Sequence, residues 1–269
     1  MRKKTLLVLI PIAIVLLLLS LGLTATLGSR TSNSKPHRLF LPAGTSYEAL
    51  CDSLDASSTF RFMAHALGLD NRVRPGSYIV APHMKTLALV RKLRNGQQDP
   101  LRLTIGKFRT PQQLNDYLNS KLMHNDFNIP LDSFHLILPD TYELYWTISP
   151  TAFMQRMEKE YDSFFKNLPT PTSPHQPPTS NKDIIILASI VEEETNNNNE
   201  KPLISSVYLN RLAKGMPLQA DPTVKYAVAT SSTPSQGQLS AQQTEGFAIK
   251  RILNRHLQTA SPFNTYLHT

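Results

Sequence analysis

The stretch Ser180-Asn181-Lys182-Asp183-Ile184-Ile185-Ile186-Leu187-Ala188-Ser189-Ile190-Val191-Glu192-Glu193-Glu194-Thr195 decides how this chain is read. Ser180 with Asp183 three residues on is a capping pair that opens a helix. From Ile184 to Val191 the residues are apolar nearly all round, which predicts a helix buried on several sides. It runs straight into three glutamates, then Thr195 and the asparagines 196–199. Carboxylates at a helix C-terminus oppose the macrodipole, because that end favours cations. Glu192 shares a face with Ile185, Ala188 and Ser189. Desolvation and the negative helix end both favour its protonated form, so this position suits a general acid. The plain alternative is that all three acids fray into solvent, as most charge runs do.

Working outward towards the C-terminus, Val207-Tyr208-Leu209-Asn210-Arg211-Leu212 continues the helical pattern. Gly215-Met216-Pro217-Leu218-Gln219-Ala220-Asp221-Pro222-Thr223-Val224-Lys225-Tyr226 follows, and Ser261-Pro262-Phe263-Asn264-Thr265-Tyr266 lies near the end. Each piece has a structural reading of its own. Asn210-Arg211 inside a helix suits a scaffold, and Asp221-Pro222 is a common turn opener. Tyr142, Tyr208 and Tyr226 suit core aromatics with a tethered hydroxyl.

Towards the N-terminus, five prolines fall between Leu168 and Ser180, a density that forbids a helix or central strand and marks a loop at 168–180. Before it the spacing predicts a helix over Ala152 to Phe165. Helix-rich material from Thr110 is expected to hold a strand around His135 to Leu138, broken by Leu138-Pro139-Asp140-Thr141-Tyr142-Glu143. Residues 38–105 read as a small module: strand Arg38 to Pro42, helix Ser46 to Leu54, helix Phe60 to Leu67 ending at Gly68, strand Ser77 to Val80, helix Thr86 to Leu93 and strand Leu101 to Ile105. Strand, helix, helix, strand is the size and order of a LysM-type glycan-binding unit, a pattern that many small α+β domains share.

Residues 31–37 are a polar tether, and residues 1–30 a cytoplasmic tip with an apolar leader. Arg2, Lys3 and Lys4 precede an uncharged run whose centre, Leu6 to Leu23, has only Pro11, Ser20 and Gly22 as non-hydrophobic members. About 20 apolar residues span a hydrocarbon core of roughly 30 Å. That length favours an uncleaved transmembrane anchor over a signal peptide, with the N-terminus cytoplasmic and the rest outside.

The chain has 269 residues, 41% hydrophobic and 18% charged, enough for a sizeable core and incompatible with a wholly disordered chain. Ten glycines and one cysteine exclude a collagen-like chain, a disulfide scaffold and a Cys-based metal site. Cys51 suits a buried small apolar role. The net charge is +8, and the leader supplies half of it. A surplus of +4 on the remainder is compatible with an anionic polymer such as cell wall, while no basic block with interleaved aromatics suggests nucleic acid. The eight histidines show no HExxH spacing, and neither GxSxG nor a P-loop occurs.

Taken together, the Leu187–Thr195 series, the 207–212 and 215–226 segments, Ser261–Tyr266 and Pro139-Asp140-Thr141-Tyr142 closely resemble the YceG-like (MltG) family of endolytic murein transglycosylases. The fold implied is α+β: a transmembrane helix, a LysM-like α+β subdomain at 38–105, and a mixed α/β catalytic domain of the YceG-like type. That domain has an intermediate part at 106–167 and a catalytic core at 181–269. In the family the Asn-Thr-Tyr segment continues into Gly-Leu-Pro-Pro-Gly, whereas here it reads Leu267-His268-Thr269, so the resemblance implies a shortened C-terminus.

The resemblance implies Glu192 as general acid/base and Glu194 as a helper. Gln219, Asp221, Thr223, Tyr226, Asn264 and Tyr266 are implied to line the substrate site, with no metal and no cofactor. The implied activity is cleavage of nascent peptidoglycan glycan strands at the cytoplasmic or inner membrane, on its extracytoplasmic face, beside peptidoglycan synthases (penicillin-binding proteins). Residues 5–27 would hold the chain in the membrane. Two alternatives remain open from sequence: a catalytically impaired peptidoglycan-binding protein, and a hydrolytic muramidase using Glu194 or Asp221 as base.

Overall fold

The computed structural model describes residues 28–168, 180–231 and 249–268. The anchor expected at 5–27 and all but the ends of the proline-rich loop lie outside the described residues. Among those described, no helix is long and apolar enough to cross a membrane.

The elements in chain order are β1 (His37–Leu41), α1 (Tyr47–Ser53), α2 (Ser58–Ala66), β2 (Gly76–Val80), α3 (Thr86–Asn95), β3 (Leu101–Ile105) and α4 (Pro111–Lys121). They continue with α5 (Leu131–Phe134), β4 (Asp140–Leu144), α6 (Pro150–Asn167), α7 (Asn181–Glu194), α8 (Lys201–Ala213), α9 (Asp221–Thr230) and α10 (Asn254–Leu257). The chain divides into two compact units, and each is woven from several stretches. The first takes residues up to Phe108, Leu114–Phe127 and Pro139–Phe153; the second takes Arg109–Gln113, Asn128–Leu138 and everything from Met154.

In the first unit, β1 and β2 pair antiparallel with Leu39 opposite Tyr78. Alternation along β1 turns Leu39 and Leu41 inward, onto a core with Leu50, Cys51, Phe60, Met63, Tyr78, Val80, Leu89 and Leu93. Cys51 is buried and free, as its apolar reading expects. Ser46 and Ser57 accept hydrogen bonds from Ala49 N and Phe60 N, so each opens its helix with a side-chain cap. The second helix therefore begins two residues before the expected Phe60. Gly96 ends α3 at φ 67°, and a Cβ there would lie 2.6 Å from Arg74 Cδ.

Two expectations are corrected, and one is extended. The strand expected at the end of the 38–105 module forms as β3, in the same compact unit, but it pairs antiparallel with β4, Leu103 opposite Tyr142, in a separate two-stranded sheet. Alternation predicts a strand without naming its partner, and the partner here lies beyond the expected boundary. The strand placed at His135–Leu138 is instead the tail of a turn: Leu136 N and Ile137 N donate to the carbonyls of Ser133 and Phe134. The strand starts only at Asp140, because a three-residue apolar run before a proline does not distinguish strand from turn. Lastly, α7 buries a single stripe, Leu187, Ile190 and Val191, while Ile186 is 44% exposed among the described residues.

In the second unit, Leu187, Ile190 and Val191 form a core with Tyr208, Leu218 and Ala220. Helix α7 packs against α8 and α9, and α9 against α10. His135 and Tyr161 meet edge to face, and Tyr161 also meets Phe165.

Candidate active site

Ser180 caps α7 as expected, its Oγ accepting from Asp183 N at 3.1 Å. The helix continues through Glu194, and Thr195 leaves it in an extended conformation. Successive helical residues project about 100° apart, so the three glutamates reach in different directions. Each has its own partner.

Glu192 forms an ion pair with Lys201 Nζ. Glu193 accepts a forked pair of bonds from Arg109, with Nη2 at 2.9 Å and Nε at 3.2 Å from Oε2. Glu194 Oε1 accepts from the Tyr208 hydroxyl at 2.6 Å. Burial, and next the Glu194 carboxylate, push the Tyr208 phenol well above its ordinary value, so it stays a donor.

The turn between α7 and α8 returns Lys201 to Glu192. Glu200 accepts from Thr195 Oγ1 at 2.8 Å and from Asn197 Nδ2 at 3.0 Å, while Asn197 N and Asn199 N bond to Thr195 Oγ1 and Asn197 Oδ1. The asparagine run thus has ordered work in the turn. The Glu192 side chain is 32% exposed and that of Lys201 25%, so the pair is neither buried nor fully solvated. The sequence predicts an acid kept protonated by desolvation. The structure instead adds an adjacent ammonium, which favours the carboxylate.

The two downstream segments come together directly. Gln219, at φ 53°, donates its backbone N–H to Thr265 O at 3.0 Å, and Ala220 N donates to Thr265 Oγ1 at 3.0 Å. The Tyr266 hydroxyl donates to Asp221 Oδ1 at 2.8 Å, and burial followed by that carboxylate raises the Tyr266 phenol. Arg211 Nη1 donates to the carbonyl of Leu218 at 2.7 Å and to Gln219 Oε1 at 3.2 Å, a bracing role in keeping with its scaffold reading. Tyr226 packs edge to face on Phe263.

Thr223 and Asn264 spend their polar groups internally. Thr223 Oγ1 donates to Ala220 O and lies 2.8 Å from Thr265 Oγ1. Asn264 is fully buried, donates to Leu257 O and Thr259 O, and accepts from Tyr266 N. These two brace the segments on which Gln219, Asp221 and Tyr266 sit at more exposed positions. Among the described residues no group of three or more His, Cys, Asp or Glu could hold a metal ion.

Sequence reasoning did not single out Lys201 or Arg109. For Lys201 a signal exists: a cation in the first turn of a helix opposes the dipole just as the glutamates do at the end of the preceding one.

The pattern of the YceG-like family matches residues 39–269. The chain belongs to that family. Among individual proteins, the endolytic murein transglycosylase of Bacillus subtilis (strain 168) is 41% identical over 66 residues. That match covers 24% of this chain and 14% of the relative, so the chain spans only a small part of that protein's length. A crystal structure of a putative yceG-like protein from Listeria monocytogenes aligns over 87% of this chain and 83% of its own, at 23% identity and a TM-score of 0.40. Within the YceG-like family, then, the acids at 192–194 and the joined 219–221 and 264–266 segments are the features from which a chemistry can be built.

Proposed function

We propose that this YceG-like protein is a membrane-anchored endolytic lytic transglycosylase that cleaves the bond between N-acetylmuramic acid and N-acetylglucosamine in nascent peptidoglycan. The observation that carries this reading is Glu192: a part-exposed carboxyl at the end of α7, tethered by Lys201, on a helix packed against the one that opens with Asp221.

In this reading protonated Glu192 donates to the bridging oxygen as the glycosidic bond breaks. Its carboxylate then takes the proton of the muramyl C6 hydroxyl, whose oxygen attacks C1 of the same sugar. One bond to C1 breaks and one forms, no water is consumed, and a 1,6-anhydro end results. One carboxyl suffices, whereas hydrolysis by either standard route needs two at about 5–5.5 or 6.5–9.5 Å. Glu194 and Asp221, the second acids a muramidase would use, each already accept a tyrosine hydroxyl. Glu194 therefore acts as a helper by fixing the end of α7. Gln219, Asp221 and Tyr266 would orient N-acetyl groups and steady the oxocarbenium-like state, with Thr223, Tyr226 and Asn264 behind them.

The wider reading is that residues 5–27 anchor the chain in the cytoplasmic or inner membrane with its body on the extracytoplasmic face. The LysM-like arrangement of β1, α1, α2 and β2 would hold the glycan. Cleavage beside peptidoglycan synthases would terminate strand elongation. The test is digestion of purified peptidoglycan by the full chain in detergent, with Glu192→Gln beside it, and mass spectrometry of the new ends. Anhydro ends, one water lighter than reducing ends, are expected with the wild type and absent with the variant. Reducing ends would establish a hydrolase, and binding without cleavage would leave a peptidoglycan-binding protein.

A further inference from the structure

Two charges in the second unit stand at helix ends that disfavour them. Glu192 lies in the last turn of α7, where the dipole is negative, and Lys201 is the first residue of α8, where it is positive. The clamped turn from Thr195 to Glu200 sets the two ends side by side, and the misplaced charges neutralise each other. We propose that Lys201 is the positioning residue for Glu192: it fixes the carboxyl in place and lowers its proton affinity, and so sets the alkaline limit of glycan cleavage. This rests on the transglycosylase reading for its catalytic consequence, but not for its electrostatic one.

Among the described residues, the titratable and charged groups near the end of α7 and on the elements packed against it include Glu193 and Glu194 on α7, Glu200 in the turn, Lys201, Tyr208 and Arg211 on α8, Asp221, Lys225 and Tyr226 on α9, and Tyr266 beyond α10. Arg109 pairs with Glu193, Tyr208 bonds to Glu194, and Arg211 braces the Leu218 carbonyl. Lys201 contacts Glu192 directly. An opposite charge at contact distance lowers a carboxyl's proton affinity, and partial exposure keeps the effect near the lower end of the usual range of about 1–3 pH units. The positive end of α8 acts in the same direction and persists in a side-chain variant.

The experiment is a carbon-13 titration of the glutamate carboxyls in the full-length protein in detergent, with Glu192 assigned by its loss in Glu192→Gln. The Glu192 midpoint is expected to rise by roughly one pH unit in Lys201→Met and to return close to wild type in Lys201→Arg. In parallel the alkaline limb of kcat/KM on peptidoglycan should move up by the same amount in Lys201→Met, because that limb reports the free enzyme's acid. An unmoved midpoint in Lys201→Met overturns the proposal. A wild type that leaves peptidoglycan uncut overturns the transglycosylase reading, while the titration still decides the role of Lys201. Should Lys201→Met not fold, Lys201→Gln removes the charge, keeps a hydrogen-bonding side chain and carries the same outcomes.

Discussion

At the scale of single residues, side-chain type proved a poor guide to direction. An amide suits an N-acetyl group and a backbone carbonyl equally well, and nothing in Pro262-Phe263-Asn264-Thr265 says which one Asn264 meets. In the structure it meets Leu257 O and Thr259 O and is wholly buried. Asn264→Ala leaves two carbonyls and the Tyr266 N–H without this partner, and should cost roughly 2–3 kcal/mol, read from urea denaturation of the purified protein. A loss below about 0.5 kcal/mol would show that the bonds are replaceable by water. Glu192 drew attention in the sequence because acids at a helix C-terminus break a local rule, and such breaks gather at functional sites. Lys201 breaks the mirror-image rule nine residues later. Its pairing with Glu192 depends on how the 195–200 turn bends, and that turn rests on side-chain bonds which no hydrophobic period encodes.

At the scale of elements, caps were the most legible feature, since their chemistry is local. Ser180 both accepts from Asp183 N and donates to Asp183 Oδ2 at 2.7 Å, closing the first turn of α7. Ser180→Ala should therefore lower stability by about 1 kcal/mol, seen as a lower denaturation midpoint at constant slope. No change would mean that α7 is held by its core stripe alone. Burial was less legible. An unbroken apolar run predicts cover on every side, yet among the described residues only Leu187, Ile190 and Val191 of α7 are buried, an i, i+3, i+4 stripe. The pairing of β3 with β4, across 34 intervening residues, was beyond any local signal.

At the scale of the molecule, the boundaries that composition suggested do not separate the folded units. The sequence reading places a catalytic core at 181–269, but the second unit also takes Arg109–Gln113, Asn128–Leu138 and most of α6. Arg109 reaches Glu193 on α7 from 84 residues away. A fragment holding residues 181–269 alone should melt without a cooperative transition by circular dichroism, whereas the whole chain should show one or two. A sharp transition in the fragment would mean that the earlier stretches are dispensable.

The weaving of the chain also bears on how quickly the native state can be reached. Residues that meet in the second unit are separated by tens of positions, 84 between Arg109 and Glu193 and 45 between Asp221 and Tyr266. Long separations impose a loop-closure entropy that must be met before the contact rewards it, and folding slows accordingly. As the polypeptide emerges from its N-terminal side, the Arg109 guanidinium can meet Glu193 only once α7 has been made. The tether of Glu193 therefore closes a far longer loop than those of Glu192 and Glu194, whose partners Lys201 and Tyr208 lie only 9 and 14 residues further on.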